Sequence, residues 1–373
     1  MKIAVLKERA TGEARVAATP ETAKKFIALG NDVAVESGAG GLAAIADAAF
    51  VDVGASTGDL ATVVKDADII LGIQAPEPDL LKGAKAGAWV AALFDPFQKG
   101  DLVADYAKAG LEALSMEFMP RITRAQSMDV LSSQSNLAGY KAVIHSADVY
   151  GRAFPMMMTA AGTVQAAKLF VMGVGVAGLQ AIATARRLGA QVSATDVRSA
   201  TKEQIESLGA KAIFVEDVAG IEGEGSGGYA TEMSDEYKEA QAKLVSEHIA
   251  KQDIVITTAL IPGRAAPVLI TDEQIATMKQ GSVIFDLAVA QGGNVEGSKA
   301  DEVVEKHGVK IIGYANTPAH LAADASALFA RNHYNFLSAF WDEEAGKPEL
   351  DEEIGDAIRL TKGGEVVNER LTG

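Results

Sequence analysis

The feature that most constrains this chain is a glycine pattern near its centre. The apolar residues 169–172 run directly into Gly173, Gly175 and Gly178, spaced as G-x-G-x-x-G, and a small-residue run typical of a helix follows. The first glycine suits a tight turn, the second lets the backbone approach a pyrophosphate, and the third lets the helix pack on the strand. The free N–H groups at such a helix start, here at Val176 and Ala177, attract phosphate. The pattern therefore predicts a strand–turn–helix unit that binds a dinucleotide.

A carboxylate after the next strand strengthens this interpretation. Residues 191–195 are typical of a strand and lead into Asp196, 18 residues beyond Gly178, about where such sites hold the acid that binds the adenosine ribose hydroxyls. The charge of Asp196 would repel a 2′-phosphate, so NAD(H) is the predicted cofactor. Val197, the next residue, is predicted to belong to the same site. Arg198 could instead accept that phosphate, which leaves its effect on the choice open. The structural alternative for Asp196 is a helix or turn cap.

Composition narrows the class of protein. A chain of 373 residues favours two domains, and 48% hydrophobic residues can supply buried parallel strands. A formal charge of −16 argues against nucleic acid or an anionic membrane surface as a partner. The chain has no cysteine, so redox chemistry must come from a bound cofactor. Its five histidines are scattered, and no metal site is expected.

Alternating strand and helix patterns predict an α/β protein with two Rossmann-like parallel-sheet domains and a cleft between them. We expect an N-terminal domain of residues 1–130, completed by about 322–373, and an NAD(H)-binding domain of residues 131–321. Helices are predicted over residues 20–29 (capped by Thr19 and closed by Gly30), 137–147, 201–208 and 322–340, with a small hairpin around Gly363. Strands are predicted over residues 2–6, 32–36, 68–73, 88–94, 111–115, 169–172, 191–195, 212–215, 253–257, 282–286 and 310–313.

Neither the N-terminus nor the longest apolar run predicts a membrane segment. The N-terminus is typical of a strand followed by charges, not of a signal peptide. The longest nearly apolar run, residues 169–185, contains the three glycines of the turn, which disfavours a membrane span. We therefore expect a cytoplasmic location.

A glycine-rich, mostly acidic segment, residues 216–241, interrupts the strand–helix alternation. Its centre holds Gly228, Tyr229 and Met233. Loops of this length inside a compact domain are usually functional or disordered. It is either a lid over the cofactor or a surface insertion, and the sequence does not decide between them.

Five segments together carry a resemblance to one family. They are residues 7–9 with 13–20, residues 120–129, the glycine motif at 173–178, residues 257–263 and residues 286–294. In these segments the chain resembles the alanine dehydrogenase / nicotinamide nucleotide transhydrogenase family over almost its whole length. The spacing of Arg121, Gln126 and Asp129, and Tyr229 in its glycine-rich loop, are similar to the transhydrogenase branch.

That resemblance implies an activity and partners. NADH bound to this chain would pass a hydride to NADP⁺ on a separate NADP(H)-binding subunit, and a membrane-spanning proton-channel subunit would couple the transfer to proton translocation. It also implies a homodimer that associates peripherally with the inner membrane through its partners. In this scheme Gln126 binds the ribose, and Ala259 with Leu260 packs the nicotinamide ribose. The carboxamide is oriented by Arg121, Asp129 and Ser132, while Gly228, Tyr229 and Met233 close on the nucleotide.

Two alternatives remain. Alanine dehydrogenases of the family hold pyruvate with an arginine, a lysine and a histidine, and carry an acid before the Gln-Gly-Gly motif. Arg15 matches that arginine, but residues 71–76 contain no lysine, residues 92–95 contain no histidine, and Ala290 occupies the acid position. The proton carrier for an amine–imine step is then missing. The other alternative is an NAD(H)-sensing module without turnover.

Overall fold

The computed structural model describes residues 1–215, 234–261 and 263–372. The chain forms two compact units, which are described separately below. The first unit is Met1–Gln134 with Pro318–Gly373, and the second unit is Ser135–Thr317.

The first unit is built on a six-stranded, fully parallel sheet of order β3-β2-β1-β4-β5-β6. The chain order reverses between β1 and β4, which makes their carboxyl ends the switch point of a doubly wound fold. Only the short edge strand β3 lies outside the predicted strands. The strands are β1 (Lys2–Val5), β2 (Asp32–Glu36), β3 (Ser56–Gly58), β4 (Ile69–Gln74), β5 (Trp89–Leu93) and β6 (Glu112–Ser115).

The helices of this unit begin where the sequence supplies caps. Thr19 caps the first helix by accepting the Thr22 backbone N–H, and Gly30 follows its end with φ +84°. This confirms the predicted cap and stop. The helices are α1 (Pro20–Ala28), α2 (Asp47–Val51), α3 (Leu60–Val64) and α4 (Gly100–Lys108).

Helix α5 (Val130–Val149) starts seven residues before the predicted helix at 137. The side chain of Asp129 accepts the backbone N–H of Ser132 at 2.9 Å, the usual arrangement of an N-cap. The residues that follow Asp129 therefore form the first turns of the helix, and the predicted start is wrong.

A seven-stranded sheet of order β11-β10-β9-β12-β13-β15-β14 forms the second unit. All neighbours are parallel except β14 with β15. Leu169 and Val171 join one hydrophobic cluster while Phe170 and Met172 join another, so both faces of the sheet are covered. A separate hairpin of β7 (Met157–Thr159) and β8 (Gly162–Val164) precedes this sheet in the chain. The strands of the sheet are β9 (Lys168–Met172), β10 (Gln191–Thr195), β11 (Lys211–Ala212), β12 (Ile254–Thr257), β13 (Val283–Asp286), β14 (Glu302–Lys306) and β15 (Val309–Gly313).

Two sequence expectations for this sheet are wrong. The strand predicted over residues 212–215 pairs only as Lys211–Ala212. Strand β14 lies outside the predicted strands because three of its five residues are charged, Glu302, Glu305 and Lys306. It is an antiparallel edge strand in which no residue is fully buried. The helices of this unit are α6 (Val176–Arg187), α7 (Thr201–Ser207), α8 (Asp235–Ile249) and α9 (Asp272–Ala276).

The carboxyl-terminal segment packs on the first unit. Phe329 and Phe336 join its core, and Ser326 accepts the backbone N–H of Val16 at 2.9 Å. The predicted hairpin is confirmed, with Gly363 and Gly364 in its turn at positive φ. The elements are α10 (Ala322–Ala339), β16 (Trp341–Asp342), β17 (Lys347–Pro348), α11 (Glu352–Ile358), β18 (Thr361–Lys362), β19 (Glu365–Val366) and α12 (Glu369–Thr372). Within the described ranges, no helix combines the length and apolarity of a membrane span.

Candidate nucleotide-binding site

The turn between β9 and α6 requires two of its three glycines for steric reasons. Gly173 has φ +97°, and a Cβ there would lie 2.6 Å from the Thr258 hydroxyl oxygen. A Cβ on Gly178 would lie 2.0 Å from the carbonyl oxygen of Gly173. At Gly175, by contrast, a Cβ would have no neighbour within 4 Å. The open space is therefore above the second glycine, where a pyrophosphate approaches the backbone in such turns.

The start of α6 can receive an anion. Gly175 is the N-cap and contributes no side-chain hydrogen bond. The N–H groups of Val176, Ala177 and Gly178 lie in the first turn of α6, where the helix has no carbonyl oxygen to accept them. They therefore point out of the helix start, at the positive end of the helix dipole.

Gly139 of α5 also lies against this end of α6, a contact that the sequence analysis missed. A Cβ on Gly139 would lie 2.0 Å from the carbonyl oxygen of Ala177. The only sequence signal was an isolated glycine inside a helical pattern, which often marks a close helix contact. Close packing of α5 therefore supports the position of the first turn of α6.

Asp196 lies at the end of β10, next to the glycine turn. Its carboxylate is buried and accepts the backbone N–H of Val174 at 2.7 Å and that of Arg198 at 2.9 Å. The Arg198 side chain also pairs with it, Nε to Oδ1 and Nη2 to Oδ2, each at 2.9 Å. The carboxylate is thus at the predicted position, joined to the glycine turn and to a neighbouring arginine.

Ala259 and Leu260 follow β12, the neighbour of β9 on its other side. The Thr258 hydroxyl donates to the Gly173 carbonyl oxygen at 2.9 Å, which ties this loop to the glycine turn. Leu260 is 37% exposed, so its side chain can contact a ligand. The loop therefore borders the same carboxyl edge as the turn, at the switch point between β9 and β12.

Asn294 fixes the Ala259 peptide groups, a role that the sequence analysis did not assign. Its side chain accepts the Ala259 N–H at 3.0 Å and donates to the Ala259 carbonyl oxygen at 2.9 Å and to that of Pro267 at 2.8 Å. The fully buried carboxylate of Asp286 holds Asn294 by accepting its backbone N–H at 3.0 Å. The motif at 286–294 therefore serves as a support for the loop.

The residues proposed for the nicotinamide end lie in the first unit. Arg121 and Gln126 are exposed, Gln126 in a 3₁₀ turn, Thr123–Met128. Asp129 accepts two hydrogen bonds from Ser132, from its N–H at 2.9 Å and from its hydroxyl at 2.6 Å. Asp129 and Ser132 are therefore brought together, while Arg121 and Gln126 are exposed to solvent in the structure.

Long-range contacts hold this stretch in place. The side-chain amides of Asn332 and Asn335 on α10 both donate to the Ser127 carbonyl oxygen, at 2.8 and 3.0 Å. Arg124 pairs with Asp351 and Glu353 at the start of α11. These partners lie more than 200 residues away in sequence, and no local pattern could have identified them.

Arg15, the residue that matches the dehydrogenase arginine, is enclosed in an ion pair. Its Nε and Nη2 donate to the Glu13 carboxylate at 2.7 and 2.6 Å, and its Nη1 donates to Gln134 at 2.9 Å. Arg15 is 4% exposed and Glu13 is 5% exposed. Gln74, within the 71–76 segment that lacks a lysine, donates to Glu13 at 3.2 Å.

Glu8 lies beside this ion pair at the carboxyl edge of the first sheet. Its carboxylate accepts the backbone N–H groups of Ile73 at 2.6 Å and Gln74 at 3.2 Å. Burial raises the pKa of Glu8 from its ordinary value of 4.5 to about 7, against the opposing effect of these two hydrogen bonds.

The predicted site residues thus form two groups in two units. The second unit holds the glycine turn, Asp196, Val197 and Arg198, and the Ala259–Leu260 loop; the first holds Arg121, Gln126, Asp129 and Ser132. Gly228, Tyr229 and Met233 lie outside the described residues. Among those that are described, no group of three or more acidic or histidine side chains could hold a metal ion.

Comparisons with known proteins give the family models and the relatives that this chain matches. The family model "Alanine dehydrogenase/PNT, N-terminal domain" matches residues 4–138, and "Alanine dehydrogenase/PNT, C-terminal domain" matches residues 142–369. The chain is 51% identical over 381 residues to the first part of NAD(P) transhydrogenase subunit alpha from Rhodospirillum rubrum, covering 100% of this chain and 99% of that relative. It is 48% identical to the protein of the same name from Rickettsia prowazekii, covering 99% and 96%. The crystal structure of transhydrogenase from Sinorhizobium meliloti superposes with a TM-score of 0.90 at 52% identity, covering 98% of this chain and 100% of that one.

Proposed function

This chain belongs to the alanine dehydrogenase/PNT family, and from that premise we propose that it binds NAD(H) and exchanges hydride with NADP(H) on a partner subunit. The observation that carries the proposal is the glycine turn joined to a buried strand-end carboxylate, Val174 N–H to Asp196 at 2.7 Å. Near-complete coverage at 51% identity to a transhydrogenase subunit supports the choice of reaction.

The residues of the second unit fit NAD(H). The open space over Gly175 and the outward N–H groups of Val176, Ala177 and Gly178 suit a pyrophosphate. Asp196 would accept the ribose hydroxyls and disfavour a 2′-phosphate. Val197 and Arg198 would flank the adenosine, and Ala259 with Leu260 would pack the nicotinamide ribose.

The task of this chain in the reaction is to align and shield the reactants. The bound dinucleotide would supply hydride transfer: the hydride leaves C4 of the dihydronicotinamide and forms a C–H bond at C4 of the acceptor ring. This transfer requires no general acid or base. We propose that Gln126 binds the ribose and that Arg121, Asp129 and Ser132 orient the carboxamide. The contacts that hold residues 123–128 on α10 and α11 would keep these groups in register.

Several further elements of the proposal rest on the family resemblance. Gly228, Tyr229 and Met233 would close on the nucleotide. The chain would act as a homodimer with a separate NADP(H)-binding subunit and a membrane-spanning proton-channel subunit, through which it would associate with the inner membrane from the cytoplasmic side. The names of the relatives, which describe only a portion of a subunit alpha, support partner chains.

The structure of the first unit disfavours the dehydrogenase alternative. A substrate carboxylate needs an accessible cation, but the guanidinium of Arg15 is buried and already paired with the Glu13 carboxylate. Displacing Glu13 would leave its charge buried without its partner, a change that typically costs about 3–5 kcal/mol. Ala290 in addition offers no acid for proton transfer.

An isotope-transfer assay tests the proposed reaction. The chain is mixed with an NADP(H)-binding transhydrogenase subunit, NADH deuterated at C4 and NADP⁺, and the NADPH formed is examined by mass spectrometry. We expect deuterium in NADPH only when both proteins are present.

Two controls separate the alternatives. The chain alone is incubated with NAD⁺ and a panel of amino and hydroxy acids, where turnover would establish a dehydrogenase instead. NADH binding without any deuterium transfer to NADP⁺ would favour the sensing module.

A further inference from the structure

The carboxylate of Asp196 is already saturated in the structure. A carboxylate offers about four lone-pair positions for hydrogen bonds. Oδ1 accepts the backbone N–H and the Nε–H of Arg198, and Oδ2 accepts the Val174 N–H and an Nη2–H of Arg198, all between 2.7 and 2.9 Å. Two of the four donors therefore belong to the Arg198 guanidinium.

This arrangement is largely removed from solvent. The side chains of Arg198 and Asp196 are 12% and 7% exposed. Charge-assisted, bidentate pairs of this kind are among the stronger hydrogen bonds in proteins, and low exposure limits their screening. A competing hydroxyl must therefore displace a specific contact and not merely water.

The two backbone donors and the two guanidinium donors differ in one respect. The N–H groups of Val174 and Arg198 are fixed by the glycine turn and by the end of β10, and remain whatever residue stands at 198. The guanidinium, by contrast, is carried by a side chain with several rotatable bonds. Its two positions on the carboxylate are therefore the ones that ribose hydroxyls can take.

We propose that Arg198 is an internal competitor for the adenosine ribose, occupying the Asp196 oxygens until NAD(H) displaces it. This inference rests on the proposed binding of NAD(H) to the second unit. It assigns Arg198 a role that weakens nucleotide binding, and it makes release faster because the guanidinium can return to Asp196. The pair would thereby lower the affinity for NAD(H).

Substitution of Arg198 tests the direction of this effect. In Arg198→Met the chain keeps a long side chain and the backbone N–H but loses both competing donors. We expect NADH to bind roughly 3- to 30-fold more tightly, measured by titration of nucleotide fluorescence, with most of the gain in a slower dissociation rate. Reduced nicotinamide mononucleotide, which lacks the adenosine ribose, should bind the variant and the wild type equally.

A matched control removes the general effect of charge. Arg187→Met deletes one exposed positive charge at the end of α6 in the same unit and should leave NADH affinity within about twofold. The double variant Asp196→Asn with Arg198→Met isolates the pair: relative to Asp196→Asn alone, it should show little or no gain, since the competition requires the carboxylate.

The outcomes separate this inference from the function on which it rests. If neither wild type nor any variant binds NADH, the proposed function fails and the inference with it. If the wild type binds NADH and Arg198→Met binds it equally or more weakly, only the competitor role is overturned. A gain that persists in the Asp196→Asn background, or that also appears for the mononucleotide, likewise refutes it.

Discussion

Glu8 should make the stability of the first unit fall as pH rises through the neutral range. Burial raises its pKa from 4.5 to about 7, although the Ile73 and Gln74 N–H groups and the charge of Arg15 favour the ionised form. The buried Glu13 carboxylate adds to the rise. Between these pH values the unfolded chain ionises Glu8 while the folded chain keeps it protonated, so folding becomes less favourable with increasing pH.

The size of the effect follows from the two pKa values. A change from 4.5 to about 7 corresponds to about 3 kcal/mol, at roughly 1.4 kcal/mol per pKa unit. In Glu8→Gln this penalty disappears, and the amide oxygen can still accept the Ile73 N–H. The second acceptor, used by Gln74, is lost at a cost of about 1 kcal/mol. We expect the variant to be about 2 kcal/mol more stable than wild type at pH 8 and about 1 kcal/mol less stable near pH 4.5.

The tryptophans provide a selective measurement. Trp89 and Trp341 are the two tryptophans of the chain, and both lie in the first unit with Glu8. Urea unfolding followed by tryptophan fluorescence at several pH values between 4.5 and 8.5 therefore reports on that unit. In the control Glu21→Gln the sign is opposite, because hydrogen bonds from Arg331 and Lys25 lower the pKa of Glu21. Replacing the Glu21 carboxylate should lower the free energy of unfolding at pH values above the ordinary glutamate pKa of 4.5. At low pH the variant and the wild type should be equally stable.

The reasoning would be refuted if the difference between Glu8→Gln and wild type were the same at every pH. A variant less stable than wild type at pH 8 would also refute it, since the two hydrogen bonds would then outweigh the burial of the charge.

Two further predictions concern the candidate site. Asn294→Ala leaves the N–H and carbonyl of Ala259 and the carbonyl of Pro267 without their side-chain partner. The free energy of unfolding, measured with urea and circular dichroism, should fall by about 2–5 kcal/mol. A fluorescence titration should show weaker NADH binding. Unchanged NADH affinity in a folded variant would show that the loop does not contact the nucleotide. Gln126→Asn shortens an exposed side chain, so stability should be unchanged, while the rate of hydride exchange with a partner subunit should fall about 10- to 100-fold with little change in NADH affinity. The exposed Gln98→Asn is its matched control and should exchange hydride at the wild-type rate.

The sequence predicts those elements of the fold whose pattern lies within one short segment. The α/β class, the family and the strand–turn–helix at residues 168–187 are confirmed. The pattern succeeds there because one short segment contains both the apolar strand and the steric demand for glycine at 173 and 178. The predicted roles of the site residues remain predictions.

Element boundaries were predicted less well where polar residues occupy them. The sequence predicts the start of α5 seven residues too late because polar residues occupy its first turns, and only the cap from Asp129 to Ser132 shows that they open the helix. The edge strand β14 lacks the alternation of apolar and polar residues that predicts a strand, because three of its five residues are charged and none is fully buried. Such cases depend on a single side-chain contact or on the position of a strand in its sheet.

The sequence by itself determined the glycine turn, the strand-end Asp196 and the family, because each is specified by residues that are close together or by the overall similarity of the chain. Only the tertiary structure decided how the side chains are engaged. It shows the guanidinium of Arg198 on Asp196, Arg15 enclosed by Glu13 and Gln134, and Asn294 holding Ala259. Hydrogen-bond partners such as Arg15 and Gln134 are 119 residues apart, so their pairing depends on chain packing that no local pattern encodes.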